Sequence, residues 1–212
     1  MELCPIDWLP EPDVIMARSK AAAAADLLLS DDPDFRQYHF VERWKDGISL
    51  AWRHDGGGSY YYILRSGDTI AIKVCALRLS MSPDMLCRFQ RQPTVPMPEL
   101  AVRLLNEPEL RYQEMSFLAW SEGGQPWQSL AFRVDNKTSE EMGKPFLDLI
   151  CVGPKSFYIH AMNYHEVKPD PPALKAIFQL TPLDAALAET LAPGVKLGKV
   201  RAELGAIGYP MG

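Results

Sequence analysis

The chain has 212 residues, 47% apolar and 23% charged, with 27 acidic against 22 basic side chains and a net charge of −5. That length suits one domain, 1–212, able to bury roughly 70% of the surface its unfolded form exposes, so folding requires neither disulfide nor metal. The acidic excess is spread evenly and no polybasic run occurs, which excludes a phosphate-backbone binder. The most apolar run, Ala21–Leu29, is interrupted by Asp26 and is too short to span a bilayer. Cys4, Cys75, Cys87 and Cys151 lie far apart without a Cys-x-x-Cys pair and are expected as reduced thiols. The first residues carry no basic region of a signal peptide, so a cytoplasmic location is expected.

Pro10 and Pro12 open a helix over 13–29, with Asp13 as its N-cap and an alanine run of the highest helix propensity. Its small-residue face is expected to lie against a sheet. Ser30-Asp31-Asp32-Pro33-Asp34 then reads as a turn rather than a cation loop, because no Gly and Glu ligands follow.

The stretch 38–79 reads as an antiparallel meander of four strands: Tyr38–Lys45, Ile48–His54, Ser59–Arg65 and Thr69–Leu79. Gly/Asp turns separate them, a strong hairpin signal. The last of these strands is apolar on both faces, which predicts a central position covered from both sides. The triple glycine Gly56-Gly57-Gly58 joins two strands and lacks a following Lys-Ser/Thr, so it is a hairpin tip, not a phosphate cradle.

Prolines crowd 80–98, with a helical turn predicted over Asp84–Gln90, and Pro98 starts a helix to about Asn106. Met115–Trp120 and Trp127–Val134 form a further hairpin, giving a sheet of five to six strands over 30–136. From 137 onward the period becomes helical. Ser139 is the expected cap of a helix with Met142, Phe146, Leu147, Ile150 and Cys151 buried. Pro154 starts the next, with Phe157, Tyr158, Ala161, Met162 and Tyr164 along one side. Short helices over Pro171–Leu180, Pro182–Leu191 and Val195–Ala206 follow, and a docked tail ends the chain. The fold class is α+β, sheet first and helices last.

Catalytic motifs are sparse. His160 and His165 are five residues apart, about 140° around a helix, which predicts that they cannot both face one metal without leaving helical geometry, and His165-Glu166 lacks the rest of a zinc-protease motif. No metal or cofactor is therefore expected. Cys75 and His54 could meet across strands as a nucleophile pair, but a thiol inside an apolar strand is held protonated. The acidic pairs Glu140-Glu141 and Asp31-Asp32 point apart and form no acid–base dyad.

Several motifs run in order through about residues 30–210: Asp32-Pro33-Asp34-Phe35-Arg36, Tyr38-His39-Phe40 with Trp44, Ile72-Lys73 and Met81-Ser82-Pro83, then Asn106-Glu107-Pro108 before Ser116–Trp120, Tyr164-His165-Glu166, Pro182-Leu183 and Ile207-Gly208-Tyr209-Pro210. Their order resembles that of a family of small bacterial proteins of uncharacterised function. The resemblance implies a Gly-Phe-Asp-His-Glu-Ser run between the Ile-Lys and Met-Ser-Pro segments. Here Val74-Cys75-Ala76-Leu77-Arg78-Leu79 stands in that place, so any chemistry of such an Asp-His-Glu group is lost and the scaffold is what remains.

A compact, mildly acidic chain without catalytic motifs points to a non-enzymatic protein-binding protein, an immunity-type protein that neutralises a bacterial toxin, such as the product of a neighbouring gene. Tyr60, Tyr61, Trp120 and Trp127 are its candidate anchors. The alternatives are an enzyme with a divergent site using His54, Cys75 or His165, and an adaptor that homodimerises through its aromatic hairpins.

Overall fold

The computed structural model describes residues 2–77, 84, 95–111 and 114–212. Its frame is a seven-stranded sheet in the order β1-β7-β6-β5-β4-β3-β2, antiparallel at every step. The strands are β1 (Glu2–Pro5), β2 (Tyr38–Lys45), β3 (Ile48–His54), β4 (Tyr60–Ser66), β5 (Thr69–Cys75), β6 (Phe117–Ser121) and β7 (Gln128–Ala131). The meander is the predicted one. Asp46 and Gly47 both take positive φ, 53° and 75°, as a two-residue turn matched to strand twist requires.

β5 is the middle strand and is buried throughout after Thr69. It stops at Cys75 because side-chain hydroxyls take over the ladder: the Ala76 amide donates to Ser116 Oγ and the Leu77 amide to Ser59 Oγ. The sheet exceeds the expected five to six strands through β1, a short segment paired with β7 far along the chain. The predicted strand 127–134 ends early, and Arg133–Val134 (β8) pairs instead with Lys137–Thr138 (β9) as a separate ribbon.

Two cores flank the sheet. One face carries Tyr38, Phe40, Tyr61, Ile63, Ile72, Val74 and Phe117 under the helix α1 (Pro12–Leu29) and the C-terminal helices. The other carries Leu50, Tyr62, Leu64, Cys75, Leu118 and Trp120 under α2 (Glu99–Asn106). The helical turn expected over Asp84–Gln90 lies, beyond Asp84, outside the described residues.

From Ala21 to Leu28 α1 is buried on all sides. Ala21 through Ala25 are each at most 2% exposed, because a methyl side chain lets the sheet and the surrounding helices close on it from every direction. Its N-cap is Glu11 with no side-chain bond, not Asp13, since Pro12 already occupies the first turn.

The C-terminal elements are α3 (Ser139–Gly143), α4 (Asp148–Val152), α5 (Pro154–Tyr164), α6 (Pro171–Phe178), α7 (Ala185–Leu191) and α8 (Leu197–Ile207). The cap of α3 is Thr138 rather than Ser139: Thr138 Oγ1 accepts the Glu141 amide, and Glu141 accepts the Thr138 amide, a reciprocal capping box. The expected single stripe over 139–151 is broken into α3, a 3-10 turn at Lys144–Phe146 and α4, as Pro145 lies between them. α8 lies along the edge strand β2, and its end is tied by Lys20, which bonds Glu42 at 2.8 Å and the Gly208 carbonyl at 3.1 Å. The tail is docked, with the Tyr209 hydroxyl donating to the carbonyls of Ile177 and Thr181.

Candidate functional site on a two-faced helix

Helix α5 is started and stopped by backbone devices that fix its rotation. Gly153, at φ +84°, breaks the chain from α4, and Pro154 then occupies the first helical position. The carbonyls of Ile150 and Cys151 at the end of α4 accept from Arg18 Nη1 of α1, at 2.8 and 2.6 Å. A cation at a helix C-terminus also meets the negative end of its dipole. At the far end Glu166 takes φ +57°, and the amides of His165 and Val167 both turn back to the Ala161 carbonyl.

The inner face buries Phe157 and Ala161 and delivers two imidazoles to one carboxylate. Asp26, in the last turn of α1, is fully buried. Its Oδ2 accepts the backbone amides of Gln37 and Tyr38 at 2.6 and 2.9 Å. Its Oδ1 faces His165 Nε2 at 2.5 Å and His160 Nε2 at 3.7 Å. Burial alone would raise the carboxyl pKa, but the two imidazoles and the Tyr38 amide outweigh it and hold it down at about 2. Tyr38 stands edge-on to the His160 ring and Tyr164 stacks on it, with centroids 4.9 and 5.2 Å away.

His160 and His165 thus converge on one carboxylate, which two such positions within a regular helix are not expected to do. The 140° separation applies to Cα directions on an ideal helix; His165 sits at the C-cap, and the third group, Asp26, lies between the two rings.

The outer side of α5 exposes Ile159 and Met162, three residues apart and 51% and 37% exposed, beside Lys155 and Asn163, while Val152, 46% exposed, ends α4. Of the residues expected along one side of this helix, Phe157 and Ala161 are buried, whereas Met162 and Tyr164 are exposed. Between α5 and α6 lies a groove of about 300 Å³ lined by Pro154, Tyr158, Pro171 and Leu174, with Lys155 and Lys175 along it.

The other sequence candidates are dispersed. His54, Tyr60 and Cys75 lie in register on the sheet face opposite α1. Tyr60 stands on the strand between His54 and Cys75, so the nucleophile pair does not form. His54 instead stacks on His39, with Nε2 atoms 3.3 Å apart, and His39 stacks on Trp52. Burial pushes the Cys75 thiol up to about 12, and its Sγ donates to the Glu114 carbonyl. Tyr60 is held by Arg111, whose guanidinium lies 4.0 Å from the ring centroid and donates to its hydroxyl at 2.8 Å. Tyr61 and Trp127 are in the α1-side core, the Trp127 indole donating to the Pro10 carbonyl, and Trp120 is in the other core. Three of the four anchor candidates are therefore packing residues.

Sequence reasoning missed Asp26 altogether. Its signal was present: a lone carboxylate within the most apolar run of the chain, which a buried helix tolerates only if partners wait for it. No family model, curated protein or solved structure matches the chain.

Proposed function

We propose that the chain is a non-catalytic protein-binding module, an immunity-type protein that neutralises a bacterial toxin by covering it, and that its contact surface is the outer face of α5. The observation that carries this reading is the exposed apolar pair Ile159 and Met162 on α5, the helix that also lines the Tyr158 groove. Contiguous exposed apolar surface rimmed by polar groups marks contact sites. Lys155 and Lys175 beside the groove suit a partner that presents an apolar ridge flanked by carboxylates. Sealing of the Cys75 thiol among apolar neighbours supports binding over nucleophilic chemistry.

The test is co-expression with the products of adjacent genes, followed by affinity capture, solution mass and a toxicity-rescue assay. A one-to-one complex that Ile159→Glu abolishes, together with rescue of growth by the unaltered chain, is the expected result. A complex that forms equally well with Ile159→Glu and Met162→Glu overturns the assignment of the surface. Absence of capture and of rescue overturns the immunity reading.

A further inference from the structure

We propose that Asp26, His160 and His165 form a binding site for one divalent transition-metal ion, zinc above all, that clamps α5 to α1. The three ligand atoms, Asp26 Oδ1 and the Nε2 atoms of both histidines, lie within 4.8 Å of one another. Two imidazoles and one carboxylate form a donor set suited to zinc and its first-row neighbours, and unsuited to calcium or magnesium, which favour oxygen.

The unpartnered atom is His160 Nε2. It is fully shielded from solvent, it points at Asp26 Oδ1, and it has no hydrogen-bond partner, the separation being 3.7 Å. The side chain that carries it is nine-tenths buried. A buried polar atom without a partner is a structural debt that proteins rarely leave standing. A proton between Oδ1 and His165 satisfies His165 alone. A cation placed among the three atoms satisfies both imidazoles and the carboxylate together.

The surroundings are those of a supported ligand set. Asp26 Oδ2 is fixed by two backbone amides, which leaves Oδ1 directed at the histidines. Tyr38 and Tyr164 hold the plane of the His160 ring. Orientation of first ligands by such neighbours is what gives metal sites their affinity. Side-chain exposures of 0%, 10% and 6% at Asp26, His160 and His165 make this a closed pocket, and three protein ligands leave the fourth position of a tetrahedral ion to water. Because His165 lies 139 residues after Asp26, with His160 five residues before it, loading adds a cross-link between distant parts of the chain.

The experiment uses the full chain after EDTA treatment and dialysis, with Zn2+ and Co2+ as probes. Zinc titration followed by calorimetry and elemental analysis is expected to give one ion per chain, and the melting temperature to rise with zinc concentration. His160→Gln and His165→Gln each are expected to lower affinity at least 100-fold, judged beside the circular dichroism of each variant. The Co2+ complex of the unaltered chain is expected to show the intense visible bands of a four-coordinate site without a thiolate charge-transfer band. That spectrum, together with affinity unmoved by His39→Gln at the separate His39–His54 pair, carries the test even if a variant at His160 or His165 fails to fold. No saturable binding, affinity unmoved by His160→Gln in a folded variant, or a thiolate band reporting capture by cysteine would overturn the proposal. None of these readouts involves the exposed pair on α5, so the fate of this site and that of the protein-binding reading are separable.

Discussion

Asp26 Oδ1 and His165 Nε2 stand 2.5 Å apart across 139 residues of sequence. The bond ties the last turn of the alanine-rich helix α1 to the end of α5, the helix that exposes Ile159 and Met162. Three donors converge on this carboxylate, two of them main-chain amides at the start of β2.

Removing it is expected to be costly. Asp26→Ala orphans two buried amides and an imidazole at once, and breaking a buried pair by deleting one partner typically costs about 3–5 kcal/mol. Urea unfolding of the variant checks this; a loss below about 1 kcal/mol would show that the cluster is incidental to stability.

The same group predicts acid sensitivity. The Asp26 carboxyl has an ordinary value of 3.8 and is held at about 2 in the folded chain. Its folded pKa is depressed, so its contribution is fully present above the unfolded value and is lost as pH falls through 4 towards 2. The shift corresponds to about 2 kcal/mol. In EDTA-containing buffer, the fall in stability between pH 5 and pH 2 is expected to be shallower for Asp26→Asn than for the unaltered chain. Parallel slopes would refute this.

Cys75 is expected to be inert. With the thiol pushed up to about 12 and completely buried, native protein at pH 8 should label at this position only on unfolding, whereas the exposed Cys4 labels at once. Mass spectrometry of pulse-labelled peptides reports each site, and rapid native labelling of Cys75 would restore the nucleophile reading.

Gly143 is a test of packing. Its φ of −85° suits any residue, yet a Cβ there would collide with the Phe117 ring on β6. Gly143→Ala should therefore destabilise by about 1–3 kcal/mol through overpacking. A neutral thermal melt would mean that α3 can lift from the sheet freely.

Ile159→Glu separates surface from core. Half exposed on α5, it should leave stability within about 0.5 kcal/mol while lowering partner affinity by at least about 30-fold. Unchanged affinity in a folded variant would move the contact surface elsewhere.

The sheet was legible because its information is local: Asp46-Gly47 specifies its turn, and the two-sided apolarity of Ile70–Cys75 specifies its central place. β1 was not, since Glu2–Pro5 is four residues long, contains proline, and exists only by pairing with β7. The site was the least legible part. Asp26 reads locally as a break in an apolar run, and His160 and His165 read as diverging, because each acquires meaning only from groups more than 130 residues away. Conversely, Tyr61, Trp120 and Trp127 read as anchors because aromatic side chains suit cores and contact surfaces alike, and only tertiary placement separates the two.

The alanine row of α1 sets a clearance. With nothing beyond a methyl between Ala21 and Ala25, the helix acts as a spacer of minimum thickness between the sheet and the helices packed on it. Asp26 follows immediately after that row, and its distances to the imidazoles are therefore dictated by how thin the spacer is. A valine at Ala22 or Ala25 would work as a wedge: lifting neighbouring elements by a fraction of an ångström would pull the carboxylate and the histidines apart before the core itself came undone.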